Sequence, residues 1–255
     1  MYAVGAGLRR LPEGKDRVMV DFEKAFDRPG YAVGARATTV AATFKIVYGW
    51  MAAGLALSGA IAWYTASSGL WKTVLSGPGF TACLVAELAL VFVLSLAIKK
   101  LPVAVACLMF VAYAALNGLT LSVVFIAYKL ALVQRVFFIT AGMFGGLAVW
   151  GTVTKGDLSG IGSMCGMALW GLIVAGLVNL FLRSSGMDWI LSFAGIVIFT
   201  GLTMYDAQKI KNLAAEEKTL DDTAVWKAGM IGALQLYLDF VNLFLHILRF
   251  MGKKR

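Results

Sequence analysis

Two aspartates interrupt hydrophobic stretches in the carboxyl-terminal third of the sequence. Asp206 lies near the end of one apolar stretch, and Asp239 lies in the middle of the last. A carboxylate at the centre of a transmembrane helix costs roughly 2.5–3.5 kcal/mol on insertion scales, so a chain that keeps one there commonly uses it for protons, ions or a buried partner. These two residues are therefore the first candidates for chemistry in the chain.

The residues around Asp239 place polar groups on one side of an apolar helix. Gln235, Asp239, Asn242 and His246 are separated by four, three and four residues. At 100° per residue, all four fall within about 60° of one another. Such a stripe cannot face lipid cheaply, so we expect it to face the interior of a helical bundle or a water-filled cavity.

Two neighbouring aspartates would titrate together. If Asp206 and Asp239 lie close, both cannot easily be ionised at once, and the pair would share a proton. A protonated, hydrogen-bonded pair could latch two helices. Deprotonation would add repulsion, open the latch and create hard oxygen ligands for a divalent cation such as Ca²⁺.

Three other polar residues could support such a site. Thr203 precedes Asp206 by three residues and should share its helix face, and Glu87 is a third carboxylate within an apolar stretch. Glu87 could instead pair structurally with a basic residue or a backbone group. His246 is the only histidine, which favours a packed or capped side chain over a metal ligand.

The composition indicates a membrane protein. The chain has 255 residues, of which 60% are hydrophobic and 15% charged, whereas soluble domains carry about 25% charged residues. Uncharged runs extend from Val47 to Trp71 and from Leu101 to Tyr128. The net charge of +9 lies mainly in tails and short loops, which indicates contact with anionic lipid heads rather than nucleic acid. The three cysteines show neither a disulfide framework nor metal-ligand spacing.

The pattern predicts an all-α polytopic membrane protein with seven transmembrane helices, each near the ~20 residues that span a bilayer. We expect them at 44–66, 80–98, 103–128, 132–153, 160–182, 188–208 and 227–249. They form one membrane domain over residues 41–252, between a mixed-charge amino-terminal tail at 1–40 and a basic tail at 253–255. Segments Gly142–Gly146 and Gly162–Gly166 carry GxxxG spacings, which indicate tight packing within the chain or a dimer face.

These boundaries put the two aspartates at different depths. Asp206 lies about two residues from the end of its span and Asp239 about twelve residues into the last, a difference of about 15 Å. For the two to meet, the sixth span must continue past Lys209, or the last span must start later. Alone, Asp206 could be a solvated residue at the helix end.

Several motifs occur in a recognisable order. They are Leu116–Ser122, the stretch from Ile139 to Gly160, the segment Phe199–Lys211 with its Tyr205-Asp206 pair, and Ala233–Arg249 with Leu238-Asp239-Phe240. Over about residues 36–252 the sequence resembles the Bax inhibitor-1 family, the transmembrane BAX inhibitor motif-containing proteins, and in particular its bacterial members.

The resemblance implies a seven-helix fold whose last helix is central and wrapped by the other six. It implies a pH-dependent Ca²⁺ leak and a di-aspartyl pH sensor between helices six and seven, at positions that match Asp206 and Asp239. It also implies suppression of cell death in eukaryotic members and binding to a membrane protease in some bacterial ones. The family's basic partner on helix two has no matching arginine here, where the charges are Glu87, Lys99 and Lys100.

We therefore predict an integral, multi-pass membrane protein, in the plasma (inner) membrane if bacterial. It would be a pH-sensitive calcium or cation leak gated by Asp206 and Asp239, with no enzymatic activity, no resident cofactor and no nucleic-acid partner. One alternative is a non-conducting regulator of a membrane-bound protease or of a stress or cell-death pathway. A weaker one is an intramembrane aspartyl protease, which needs Gly-x-Gly-Asp where this chain has Leu236-Tyr237-Leu238-Asp239.

Overall fold

The computed structural model describes residues 29–74, 76–97, 100–216 and 222–252. All regular structure in these ranges is α-helical, as the composition predicts. The helices are α1 (Pro29–Ser68), α2 (Trp71–Val74), α3 (Pro78–Ala97), α4 (Val103–Ala127), α5 (Leu130–Val153), α6 (Ser159–Leu182), α7 (Ser185–Glu216) and α8 (Asp222–Met251).

Six helices are long and apolar enough to cross a membrane, namely α1 and α4 to α8. The apolar part of α3 runs only from Pro78 to Leu94 among the residues whose side chains are described. The six long spans confirm an all-α membrane architecture, while the count of seven spans stays a prediction. The short helix α2 lies in the first connection, for which the sequence pattern predicts no helix.

The boundaries differ from the predicted ones most at α7. This helix ends at Glu216, well beyond the predicted end at residue 208, because Ala207, Ile210 and Ala214 are buried and carry its apolar face past Lys209. Asp206 consequently lies well inside α7, and the conflict of depths disappears.

The amino-terminal boundary also differs. Helix α1 begins at Pro29, inside the segment predicted from the sequence to be a tail, residues 1–40. Residues 1–28 and the basic tail at 253–255 lie outside the described residues. The description of these segments as tails therefore stays a prediction.

Helix α8 lies at the centre of the bundle. In its most apolar stretch 67% of the residues are buried, against 11–39% in the other five long helices. It packs against α1, α4, α5 and α7. The largest fully buried side chains include Met230, Leu236, Tyr237, Leu243 and Leu248 of this helix. Such burial fits a helix that carries several polar groups, since lipid does not reach most of its surface.

Close helix approaches depend on glycine at a few positions. A Cβ atom at Gly232 of α8 would lie 2.9 Å from side-chain carbons of Val47 and Ile210, so its absence lets α1 and α7 both approach α8. Of the two GxxxG segments, Gly162 packs directly on Tyr205. In the other segment, a Cβ at Gly142, Gly145 or Gly146 would meet nothing within 4 Å, so tight internal packing is the wrong interpretation there.

Candidate functional site

The carboxyl groups of Asp206 on α7 and Asp239 on α8 are hydrogen-bonded to each other. Asp239 is 5% exposed, and Asp206 is partly buried. A hydrogen bond between two carboxyl groups needs a proton on one of them, because a carboxylate has no donor. The structure thus brings the two aspartates together at the contact between α7 and α8.

The two carboxyl groups have different surroundings. Lys209 lies one helical turn beyond Asp206 and places positive charge close to it, while its ammonium group lies 5.8 Å from the centroid of the Tyr205 ring. Asp239, by contrast, is preceded by Leu236 and Tyr237, which are both 0% exposed. Asp206 is therefore the more accessible member of the pair and Asp239 the enclosed one.

Three buried side-chain atoms within the described part of the chain have no hydrogen-bond partner: Oε1 of Gln235, Oδ2 of Asp239 and Nδ1 of His246. All three belong to the stripe predicted on α8, over about 16 Å of helix rise. Buried polar atoms in folded proteins nearly always have a partner, and exceptions indicate bound water, an ion or a functional site. Three of the four residues of the stripe thus each have one buried polar atom whose hydrogen-bonding capacity is unused by protein groups.

Two other members of the predicted site are satisfied within their own helices. The Thr203 hydroxyl donates to the Phe199 carbonyl oxygen at 2.7 Å. The Asn242 amide donates to the Leu238 carbonyl oxygen at 2.9 Å. Neither hydrogen bond contributes to the contact between the aspartates, although both residues lie on the helices that form it.

His246 packs against α7 near one end of the stripe. Its ring is stacked on Phe199 with 5.7 Å between centroids, and a Cβ atom at Gly195 would overlap the imidazole. The side chain is packed, as the sequence favours. Across the described residues, no group of three or more His, Cys, Asp or Glu side chains could hold a metal ion. A cation site at Asp206 and Asp239 would therefore need other oxygen atoms, such as Oε1 of Gln235.

Glu87 belongs to a different cluster. Its side chain is 9% exposed, accepts a hydrogen bond from the Thr120 hydroxyl at 2.8 Å and is also hydrogen-bonded to the Asn117 side chain. These contacts join α3 to α4. The structure does not bring Glu87 to the aspartates, and its partners are a hydroxyl and an amide rather than a basic residue or the backbone.

Sequence reasoning missed the residue that extends this cluster to the central helix. The Tyr237 hydroxyl donates to Oδ1 of Asn117 at 3.0 Å and shares a hydrogen bond with the Ser58 hydroxyl at 2.6 Å. Tyr237 is two residues before Asp239 and so projects from the opposite side of α8. The available signal was the presence of Ser58 and Asn117 within uncharged, mostly apolar runs.

The sequence of this chain matches known proteins over most of its length. A family model described as inhibitor of apoptosis-promoting Bax1 matches residues 40–255. The chain belongs to the Bax inhibitor-1 family. The range matched by the Bax inhibitor-1 family model contains every residue of the candidate site described above.

Relatives from distant bacteria support the same assignment. The inner membrane protein YbhL of Escherichia coli K12 is 46% identical over 211 residues, which cover 82% of this chain and 90% of YbhL. An uncharacterized protein of Deinococcus radiodurans is 46% identical over 209 residues, covering 82% of this chain and 88% of the relative. With six long apolar helices, this Bax inhibitor-1 family member is an integral, multi-pass membrane protein.

Proposed function

We propose that this protein is a pH-sensitive cation leak that conducts Ca²⁺ and is gated by Asp206 and Asp239. One observation carries the proposal: the hydrogen-bonded pair lies at the contact between α7 and the central helix. The unsatisfied atoms of the stripe, on the same face of α8, provide polar positions on either side of it. YbhL is named as an inner membrane protein, and we place the present chain in the inner membrane of a bacterium as well.

The gate works through the proton that the pair shares. While one carboxyl is protonated, the hydrogen bond joins α7 to α8. Loss of the proton removes the only donor and leaves two negative charges in contact, which repel one another in a site poorly screened by water. The contact between the two helices then weakens, so the protein conducts more at higher pH.

The open pair also offers suitable ligands. Ca²⁺ prefers carboxylate and amide oxygen atoms, and deprotonated Asp206 and Asp239 supply the former. Oε1 of Gln235 lies one helical turn from Asp239 on the same face and has no protein partner. It provides a neutral oxygen beside the two charged groups, so that a cation contacts several ligands in succession rather than one site that binds it tightly.

Catalysis receives no support from the same geometry. An aspartyl protease needs both carboxyl groups to reach a water molecule and a peptide bond. Here Asp239 is only 5% exposed and Leu236, one helical turn before it, is fully buried, which leaves no room for a substrate. We therefore propose a protein without enzymatic activity.

Flux through purified protein in liposomes tests the proposal. We expect Ca²⁺ entry, read by a trapped fluorescent indicator, to increase between about pH 6 and about pH 8 in the parent protein. Asp206→Asn and Asp239→Asn keep the side-chain shape but cannot titrate, so their flux should lose this dependence. Asp157→Asn, at an exposed loop carboxylate, is the matched control and should retain it.

Two results would count against the leak. Parent protein whose flux does not change with pH would remove the gating role of the pair. Parent protein that conducts no cation at any pH, while still co-purifying with a membrane protease after both aspartates are replaced, would instead favour the non-conducting regulator.

A further inference from the structure

Glu87 of α3 is a buried carboxyl group that the proposed leak does not use. It is 9% exposed, and its helix packs chiefly on α4. Both of its hydrogen-bonding partners, Thr120 and Asn117, belong to α4. A buried charge is costly unless it is paired or hydrogen-bonded, so these partners decide which protonation states the group can adopt.

The cluster supplies two donors for an ionised Glu87. The Thr120 hydroxyl donates to Oε1 of Glu87 at 2.8 Å, and the Asn117 side chain is hydrogen-bonded to the same carboxyl group. The Asn117 oxygen is turned the other way, since Oδ1 accepts a hydrogen bond from the Tyr237 hydroxyl at 3.0 Å. The amide nitrogen of Asn117 is therefore the atom that faces Glu87. Hydrogen bonds donated to a carboxylate stabilise its charged form.

The same geometry accommodates a protonated Glu87. A threonine hydroxyl has one hydrogen and two lone pairs, yet the Thr120 oxygen lies within hydrogen-bonding distance of two acceptors. One is Oε1 of Glu87, and the other is the Asn117 carbonyl oxygen at 3.0 Å. When Oε1 carries a proton, it can donate to the Thr120 oxygen, while the Thr120 hydrogen turns to the Asn117 carbonyl. Only hydrogen atoms move, and every one of these polar groups keeps a partner.

The two helices that form this contact provide no positive charge to keep Glu87 ionised. The sequences of α3 and α4 contain no basic residue. Among the described residues, Tyr113 of α4 and Tyr237 of α8 are the titratable groups whose charge would act on Glu87. A phenol, with an ordinary pKa of about 10, is neutral near pH 7. Burial without a cation disfavours the charged form of Glu87, whereas the two donors favour it, so the two effects oppose each other.

We propose that Glu87 is a second proton-binding site of the protein, at which the Thr120 hydroxyl turns from the carboxyl group to the Asn117 carbonyl when the proton binds. The Tyr237 hydroxyl stays hydrogen-bonded to Asn117 in both states, so the central helix keeps its position. The site does not depend on the proposed leak, because Tyr237 projects from the side of α8 opposite to Asp239 and Glu87 is not in contact with the aspartate pair.

Infrared difference spectroscopy of the purified full chain tests this site, because the C=O stretch of a protonated carboxyl group is separate from the carboxylate bands. The starting protein carries Asp206→Asn and Asp239→Asn, so that the pair contributes nothing. Between about pH 8 and about pH 4, we expect a protonated-carboxyl band to appear that is lost when Glu87→Gln is added. Adding Asp157→Asn instead, at an exposed carboxylate, should preserve this band. A Glu87 band that is missing at about pH 4, or that is present unchanged at every pH, would overturn proton exchange at Glu87.

The Thr120 hydroxyl has its own test in the same starting protein. Thr120→Val keeps the shape of the side chain but should move the midpoint of the Glu87 band to a pH about 1 higher, because the charged form loses the stronger hydrogen bond. Thr120→Ser should restore the midpoint. Thr140→Val is the matched control, since the Thr140 hydroxyl is also buried and donates to the Val136 carbonyl within α5. Equal midpoints in Thr120→Val and Thr140→Val would overturn the turning hydroxyl, and this comparison does not require the Glu87→Gln variant to fold.

Discussion

The Tyr237 hydroxyl donates a hydrogen bond to Oδ1 of Asn117 at 3.0 Å, from the side of α8 opposite to Asp239. The central helix thus has two polar faces. On one face, Tyr237 joins a hydrogen-bonded cluster with Ser58, Asn117 and Glu87. On the other, buried polar atoms lack protein partners. The satisfied face fixes the position of the helix, while the unsatisfied face is available for protons and ions.

Tyr237→Phe should destabilise the bundle by about 1 kcal/mol, because it leaves the buried Asn117 oxygen without its donor. Equilibrium unfolding of the purified protein in mixed micelles measures the change. Tyr64→Phe makes the same chemical change at a side chain that is 58% exposed and should have almost no effect. Equal stabilities of the two variants would show that the Tyr237 hydrogen bond contributes nothing.

Gly195→Ala should destabilise the contact between α7 and α8 by about 1–3 kcal/mol, because the added Cβ overlaps the His246 imidazole. In a His246→Ala background the same substitution should cost far less, and a double-mutant cycle gives this coupling free energy. Gly171→Ala, where the Cβ position is open, serves as the control. A coupling near zero would contradict direct packing of His246 on Gly195.

Gln235→Met should lower Ca²⁺ flux at the higher pH, because methionine keeps the length of the side chain but lacks the amide oxygen. Asn242→Leu, on the same helix, should preserve the flux, since the Asn242 amide already donates to the Leu238 carbonyl. Both variants are measured in the liposome assay against the parent protein. If Asn242→Leu loses the flux while Gln235→Met keeps it, then Asn242 rather than Gln235 supplies the oxygen ligand.

Asp157, in the connection before α6, gives a pH dependence that is independent of the leak. Its carboxylate accepts hydrogen bonds from the Ser159 amide at 2.9 Å and the Ser159 hydroxyl at 2.8 Å, and these bonds lower the pKa of Asp157. Because folding lowers the pKa, the ionised carboxylate stabilises the start of α6 at pH values above about 3.9, the pKa of an aspartate in an unfolded chain. This contribution is lost as the pH falls through the folded pKa.

A carboxyl titration by nuclear magnetic resonance measures this effect. We expect the pKa of Asp157 to rise toward its ordinary value in Ser159→Ala, which removes the hydroxyl donor. Ser163→Ala, one helical turn further along α6, should cause no change. A Ser159→Ala titration that matches the parent protein would show that the hydroxyl does not hold the carboxylate in its charged form.

Helical periodicity predicts the polar stripe of α8 because offsets along one helix depend only on residues near in sequence. The extent of α7 was harder to predict. Lys209 and Lys211 mark a membrane boundary by composition, yet Lys211 donates to the Thr152 carbonyl oxygen at 2.6 Å while the helix continues. A lysine that hydrogen-bonds to a neighbouring helix does not have to end the span.

The Tyr237 cluster could not be predicted from local spacing. Its members come from α1, α3, α4 and α8 and meet only through tertiary packing. The same limit applies to Glu87, whose neutral hydrogen-bonding partners lie on another helix, and to Gly145. A glycine that permits a close internal contact, such as Gly232, and one with nothing near its Cβ position, such as Gly145, look alike in a sequence.

The central position of α8 has a consequence for biogenesis. A nascent chain emerges from its amino terminus, so the helices that enclose α8 are synthesised before it. They cannot complete their packing until the last one arrives. That helix carries Gln235, Asp239 and His246, which makes partition into lipid on its own expensive. Maturation of the bundle therefore ends in a late step, in which the other helices receive a central helix that carries polar groups along one face.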